Sequence, residues 1–87
     1  ADAGAIVPLV TLARDGTDTQ KEHSALALGD LAFQHATNRA AITKAGGAEV
    51  LASLAQNGTA MQQSIASFAL HNLSNQPDSL ASAVRPP

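Results

Sequence analysis

The chain has 87 residues, 45% of them hydrophobic, with two aromatic side chains, no cysteine and a formal net charge of −2. That length allows one small domain, the lack of cysteine excludes a disulfide framework and a thiolate zinc site, and no apolar run approaches the ~18 residues of a membrane span. The five basic residues Arg14, Lys21, Arg39, Lys44 and Arg85 are scattered through the chain, so no nucleic-acid surface is expected.

In chain order, residues 5–15 carry Ile6, Leu9, Val10, Leu12 and Ala13 at helical spacing, with Pro8 expected in a first turn that tolerates a missing amide. Gly16 is expected to end that helix in the left-handed conformation. Thr17 follows as an N-cap, and Gln20 stands three residues later at the spacing of a capping box, so a longer helix is predicted over residues 18–34. Residues 37–45 read as a short helix, closed by Gly46-Gly47, where the chain can turn sharply. The stop-and-start signal then recurs as Asn57-Gly58, Thr59 and Gln62, ending a medium helix and opening a second long one.

That recurrence belongs to a wider pattern with a register of 42 residues and no gap. Ala3-Gly4, Leu9, Leu12-Ala13, Gly16-Thr17, Gln20, Ala27-Leu28 and Leu31 return as Ala45-Gly46, Leu51, Leu54-Ala55, Gly58-Thr59, Gln62, Ala69-Leu70 and Leu73. A fixed period of roughly 40 to 47 residues marks a stacked helical solenoid, whose units bury apolar faces only against their neighbours. With much of the apolar content in alanine, packing should be helix against helix at close range.

The lines Asn38-Arg39-Ala40-Ala41-Ile42, Ala45-Gly46-Gly47-Ala48 and Ser24 through Ala32 together resemble the three helices of armadillo repeats. The resemblance covers about residues 3–76. It implies an all-α, right-handed α-solenoid of three-helix repeats, here one fragment over residues 1–87 with repeats at about 3–36 and 37–76. Residues 77–87 would then be the degenerate start of a further repeat, or a tail.

In that family the long third helices line a groove that holds partner segments in extended form. A ladder of asparagines bonds the partner's backbone, and tryptophans one turn earlier pack its side chains. The matching positions are Asn72 with Phe68 and Asp30 with Leu26, each pair four residues apart on one side of a helix. The resemblance thus implies a peptide-binding groove over Leu26, Asp30, Phe68 and Asn72. Asp30 departs from the ladder by accepting without donating, and neither tryptophan is kept.

At the amino end, Ala1 through Gly4 align with Thr43 through Gly46 and read as the end of a short first helix. Ile6, Val7, Leu9 and Val10 would then form an apolar repeat edge open to self-association, and a homo-oligomer through exposed ends is expected. The start of the chain lacks the basic-then-apolar pattern of a signal peptide, so an intracellular location, cytoplasmic or nuclear, is expected.

The chain offers little chemistry. His23, His35 and His71 lack the i, i+4 spacing of a helical metal pair. His23, Ser24 and Asp30 include the residue types of a hydrolytic triad but share one helix and diverge around it. Gly46-Gly47 lacks the lysine and strand of a phosphate loop. Asn57-Gly58-Thr59 and Asn72-Leu73-Ser74 match the glycosylation pattern but are explained by helix termination and by the long-helix pattern.

The expected function is a non-catalytic protein-protein interaction module, not an enzyme, with no cofactor or metal. Its partner would be a protein or peptide in extended form, with no nucleic acid and no membrane. The alternative is a structural, self-assembling repeat fragment that associates through its open ends without a peptide groove.

Overall fold

Both capping signals in the sequence operate, and they set where the long helices begin. In the computed structural model, which describes residues 2–74, α1 spans Asp2–Asp15 and α2 spans Asp18–Gln34. The Thr17 hydroxyl accepts from the Gln20 N–H at 3.1 Å, and Gln20 Oε1 accepts from the Thr17 N–H at 2.9 Å. Ahead of α5 (Ala60–Ser74), Thr59 and Gln62 repeat the exchange at 3.1 Å in both directions. Each box satisfies two backbone donors that a helix start would leave orphaned.

Between the long helices lie α3 (Ala36–Lys44) and α4 (Gly47–Asn57). A single extended residue, His35, joins α2 to α3. The last carbonyls of α2 are satisfied from α3: Asn38 Nδ2 donates to Leu31 O at 3.0 Å and Arg39 Nη1 to Ala32 O at 2.7 Å. That use buries Arg39, a residue that composition alone counts among the surface cations.

The glycines work differently from expectation at three places. Gly16 and Gly58 do not adopt the left-handed conformation, and among the described residues Gly46 alone has positive φ, at 86°. What requires glycine at the two corners is proximity. A Cβ on Gly16 would lie 2.6 Å from Leu12 O and 2.8 Å from Gln20 Cβ, and one on Gly58 would meet Leu54 O and Gln62 at similar distances. Gly47 likewise is no free hinge: it opens α4 and is buried where α3, α4 and α1 meet.

The first helix also departs from its predicted start. Residues 2–4 form the first turn of α1 instead of ending an earlier helix, so Pro8 lies inside the helix. Its missing N–H leaves the Gly4 carbonyl without a helical donor, a modest loss because Gly4 is exposed and water can serve. The register fails there because Gly46 turns left-handed while Gly4 continues the helix.

All five elements are helical, and the described residues contain no strand, so the fold is all-α. Helices related by the 42-residue register lie side by side: α2 packs on α5 and α1 on α4. Within each half, α1 packs on α2 and α4 on α5, while α3 touches α1, α2 and α4. The core holds Ile6, Val10, Leu28, Ile42, Leu51 and Leu54 with five alanines, Ala13, Ala25, Ala32, Ala66 and Ala69. Small side chains permit the close approach of helix axes that fills this interior without rings.

Related positions are buried unequally, because among the described residues only the second copy of the pattern packs its leading side on another. Leu54 is 7% exposed and its counterpart Leu12 39%. Gln62 is buried and donates through Nε2 to Asp18 Oδ1 at 3.0 Å, whereas Gln20 is exposed. Gln62→Ala is therefore expected to cost about 1–2 kcal/mol, combining a lost cap with a lost buried bond, and Gln20→Ala roughly half of that. Urea unfolding followed by circular dichroism measures both, and equal costs would show that the bond to Asp18 contributes nothing.

Candidate interaction surface

Gly29 is the point from which the surface of the long helices is organised. Lacking a side chain, it lets α5 approach α2 so closely that a Cβ would fall 2.9 Å from Phe68 Cε2 and 3.2 Å from Ala69 Cα. One turn along α5, Asn72 Nδ2 donates to Gly29 O at 2.9 Å. The Phe68 ring thus lies against α2 at Gly29, and Leu26 and Phe33 stand three residues before and four after that glycine on adjoining turns of the same helix.

The resulting strip is apolar and accessible. Leu26 and Phe68 are each 43% exposed and Phe33 is 71% exposed. Asp30 is exposed beside them, one residue from Gly29, and supplies a carboxylate at the margin of the strip. Single exposed apolar residues are ordinary, but three gathered around one glycine form a patch.

The four residues matched to the family groove therefore separate into two roles. Leu26, Asp30 and Phe68 face outward, whereas Asn72 is buried and its amide N–H serves the joint between the repeats. With one of its two amide N–H groups on Gly29 O and the residue only 6% exposed, Asn72 presents little of its amide to an incoming backbone. Phe33 was not singled out as a surface residue by the sequence. Its signal was its spacing, seven residues beyond Leu26 and therefore two turns along the same side of the helix.

The four candidate edge residues divide as well. Ile6 and Val10 are buried in the chain's own core, with Val10 against Gly47, so they are not an open edge. Val7 is exposed and Leu9 half-buried. The reason is rotational: residues 6, 10 and 13 share the buried face of α1, and Val7 and Leu9 lie off it. The readings of residues 75–87 lie outside the described residues.

Other features of the surface carry mixed chemistry. A cleft of about 300 Å³ between the first two helices and α4 is lined in part by Arg14, Lys21, Glu49 and Ser53, so both charge signs meet there. The histidine, serine and aspartate on α2 are separated by burial, with Ser24 turned into the interior while His23 and Asp30 are exposed. Among the described residues no group of three or more His, Cys, Asp or Glu side chains is placed to hold a metal ion, and no helix is long and apolar enough to cross a membrane. Comparison of the chain with protein-family models, with curated proteins and with solved structures finds no match.

Proposed function

We propose that this chain is a non-catalytic protein-interaction module, an α-solenoid fragment of two armadillo-like repeats, that binds an extended segment of a partner across α2 and α5. The observation that carries this reading is the apolar strip of Leu26, Phe68 and Phe33 gathered around Gly29. An extended peptide presents alternate side chains to such a strip, and its backbone N–H groups or a basic side chain meet the Asp30 carboxylate. Asn72 holds the two long helices together beneath it. Two repeats offer few anchors, so affinity is expected to be modest.

The test starts from a displayed library of random twelve-residue peptides selected on the immobilised chain. A selected peptide, labelled and titrated by fluorescence polarisation, should lose about tenfold or more in affinity to Phe33→Asp. Circular dichroism should be unchanged, because the ring is mostly in solvent. Failure to enrich any peptide, or equal affinity for the variant, rejects the groove.

A second reading, self-association without a peptide groove, is favoured by a different observation. The leading side of the first repeat exposes Leu12 and half-exposes Leu9, while their counterparts Leu54 and Leu51 are buried. A face of this kind is normally covered in a repeat array.

A further inference from the structure

The joint between α2 and α5 is built from side chains whose counterparts recur, uncovered, on the far side of α2. Gln62, Ala69 and Asn72 are buried at or beside the joint. Forty-two residues earlier stand Gln20, Ala27 and Asp30, of which Ala27 is half-buried and the other two exposed. Leu9 and Leu12 on α1 extend this face as Leu51 and Leu54 extend the buried one. The open face thus repeats a surface that the molecule already uses once for packing.

A second chain stacked head to tail does not fit it. The side of α2 that receives α5 carries Ala25, Gly29 and Ala32, all buried, at spacings of four and three residues. The matching side of α5 carries Ser67, His71 and Ser74. Since even a Cβ on Gly29 would crowd Phe68 and Ala69, an imidazole at the equivalent place blocks the approach. Asp30 worsens the mismatch. In Asn72's role it would point an acceptor at a main-chain carbonyl acceptor.

Two chains meeting face to face have no such conflict. On α2, Gln20, His23, Ala27, Asp30 and Gln34 line one stripe, all but Ala27 exposed. A two-fold axis at Ala27 with the helices antiparallel sets Gln20 of one chain opposite Gln34 of the other, each seven residues from the axis. His23 lies four residues before Ala27 and Asp30 three after it, so each histidine faces the other chain's aspartate, twice per dimer. The alanine at the centre lets the axes close to packing distance, and Leu12 and Leu26 border the contact.

We propose that this face takes a second copy of the chain in a closed, symmetric dimer, α2 against α2 antiparallel, with reciprocal His23 to Asp30 pairs. The proposal rests on the self-association reading. Because the contact is isologous it stops at two chains, whereas head-to-tail stacking would continue into a filament or ring.

Sedimentation velocity with interference optics on the 87-residue chain, over a wide concentration range, tests it. A monomer–dimer equilibrium with no larger species is expected. Ala27→Glu should raise the dissociation constant about tenfold or more, and so should Asp30→Arg, which sets a cation against the opposing histidine. His23→Glu combined with Asp30→Arg should return the constant to within about threefold of the original, since exposed pairs of either polarity are equivalent. Ser67→Arg, on the opposite side, should leave it unchanged. An oligomer dissolved by Ser67→Arg but not by Ala27→Glu, or a double variant weaker than Asp30→Arg alone, overturns this geometry while leaving self-association standing. A monomer at every concentration overturns both.

Discussion

Leu51→Ala is expected to destabilise the chain by about 2–5 kcal/mol, while Leu9→Ala, at the same place in the first repeat, costs less than half as much. The side chains are chemically identical, so the contrast isolates position. Leu51 is fully buried, packed in the core, and its truncation removes transfer free energy and leaves a cavity that neighbours fill only partly. Leu9 is half-buried, so part of its surface already meets water in the folded state. A chain of this size has a total stability of about 5–10 kcal/mol, and the larger loss consumes a substantial part of it. Paired urea titrations followed at 222 nm decide the matter. Equal losses would mean that the leading side of the first repeat is covered in solution, which the dimer proposed above would itself produce at high concentration, so the titrations are run at low micromolar chain.

Gly47→Ala carries the second large effect, expected to cost about 1–3 kcal/mol, even though alanine is the better helix former by about 1 kcal/mol. The added methyl would lie 2.5 Å from Ile42 Cγ2, 2.9 Å from Ile42 O and 3.3 Å from Val10 Cγ2. The Ile42 side chain is itself buried and the carbonyl belongs to the backbone, so neither can retreat cheaply. Gly4→Ala is the internal control. Nothing lies within 4 Å of a Cβ there, and the change should be neutral or stabilising by up to about 1 kcal/mol. Thermal unfolding of the two variants beside the parent chain reads out the sign, and a Gly47 variant as stable as the Gly4 variant would refute the crowding.

Much of the secondary structure is legible in the sequence because its determinants are local. Thr17 with Gln20 and Thr59 with Gln62 lie within one helical turn, and the capping boxes that they form are determined by residues already adjacent in the chain. The limits of α2 matched expectation for that reason. The role of Gly16 and Gly58 was not legible, since glycine is compatible with both a left-handed turn and a close contact. The crowding by Gln20 and Gln62 depends on the angle at which the helices on either side of each corner meet.

The surface was legible in part. The resemblance to armadillo repeats pointed to Leu26 and Asp30, and their spacing of four placed them on one side of α2; that this side meets solvent is seen in their exposure. The fate of Asn72 could not be read that way. Its amide reaches Gly29 O across 43 residues of chain, a bond that exists only because Gly29 lets α5 come close. Nor could spacing show that Ile6 and Val10 are covered while Leu12 is not, since all three are apolar residues on one helix.

The sequence by itself determined the all-helical class, the two capping boxes that open the long helices and the 42-residue recurrence, all properties of neighbours along the chain, but not where α1 begins. Only the tertiary structure decided which of two equivalent residues is buried, which asparagine holds a joint and which apolar side chains remain in water. The physical reason is that burial belongs to pairs of surfaces. Identical residues acquire different environments when one repeat has a neighbour on its leading side and the other does not.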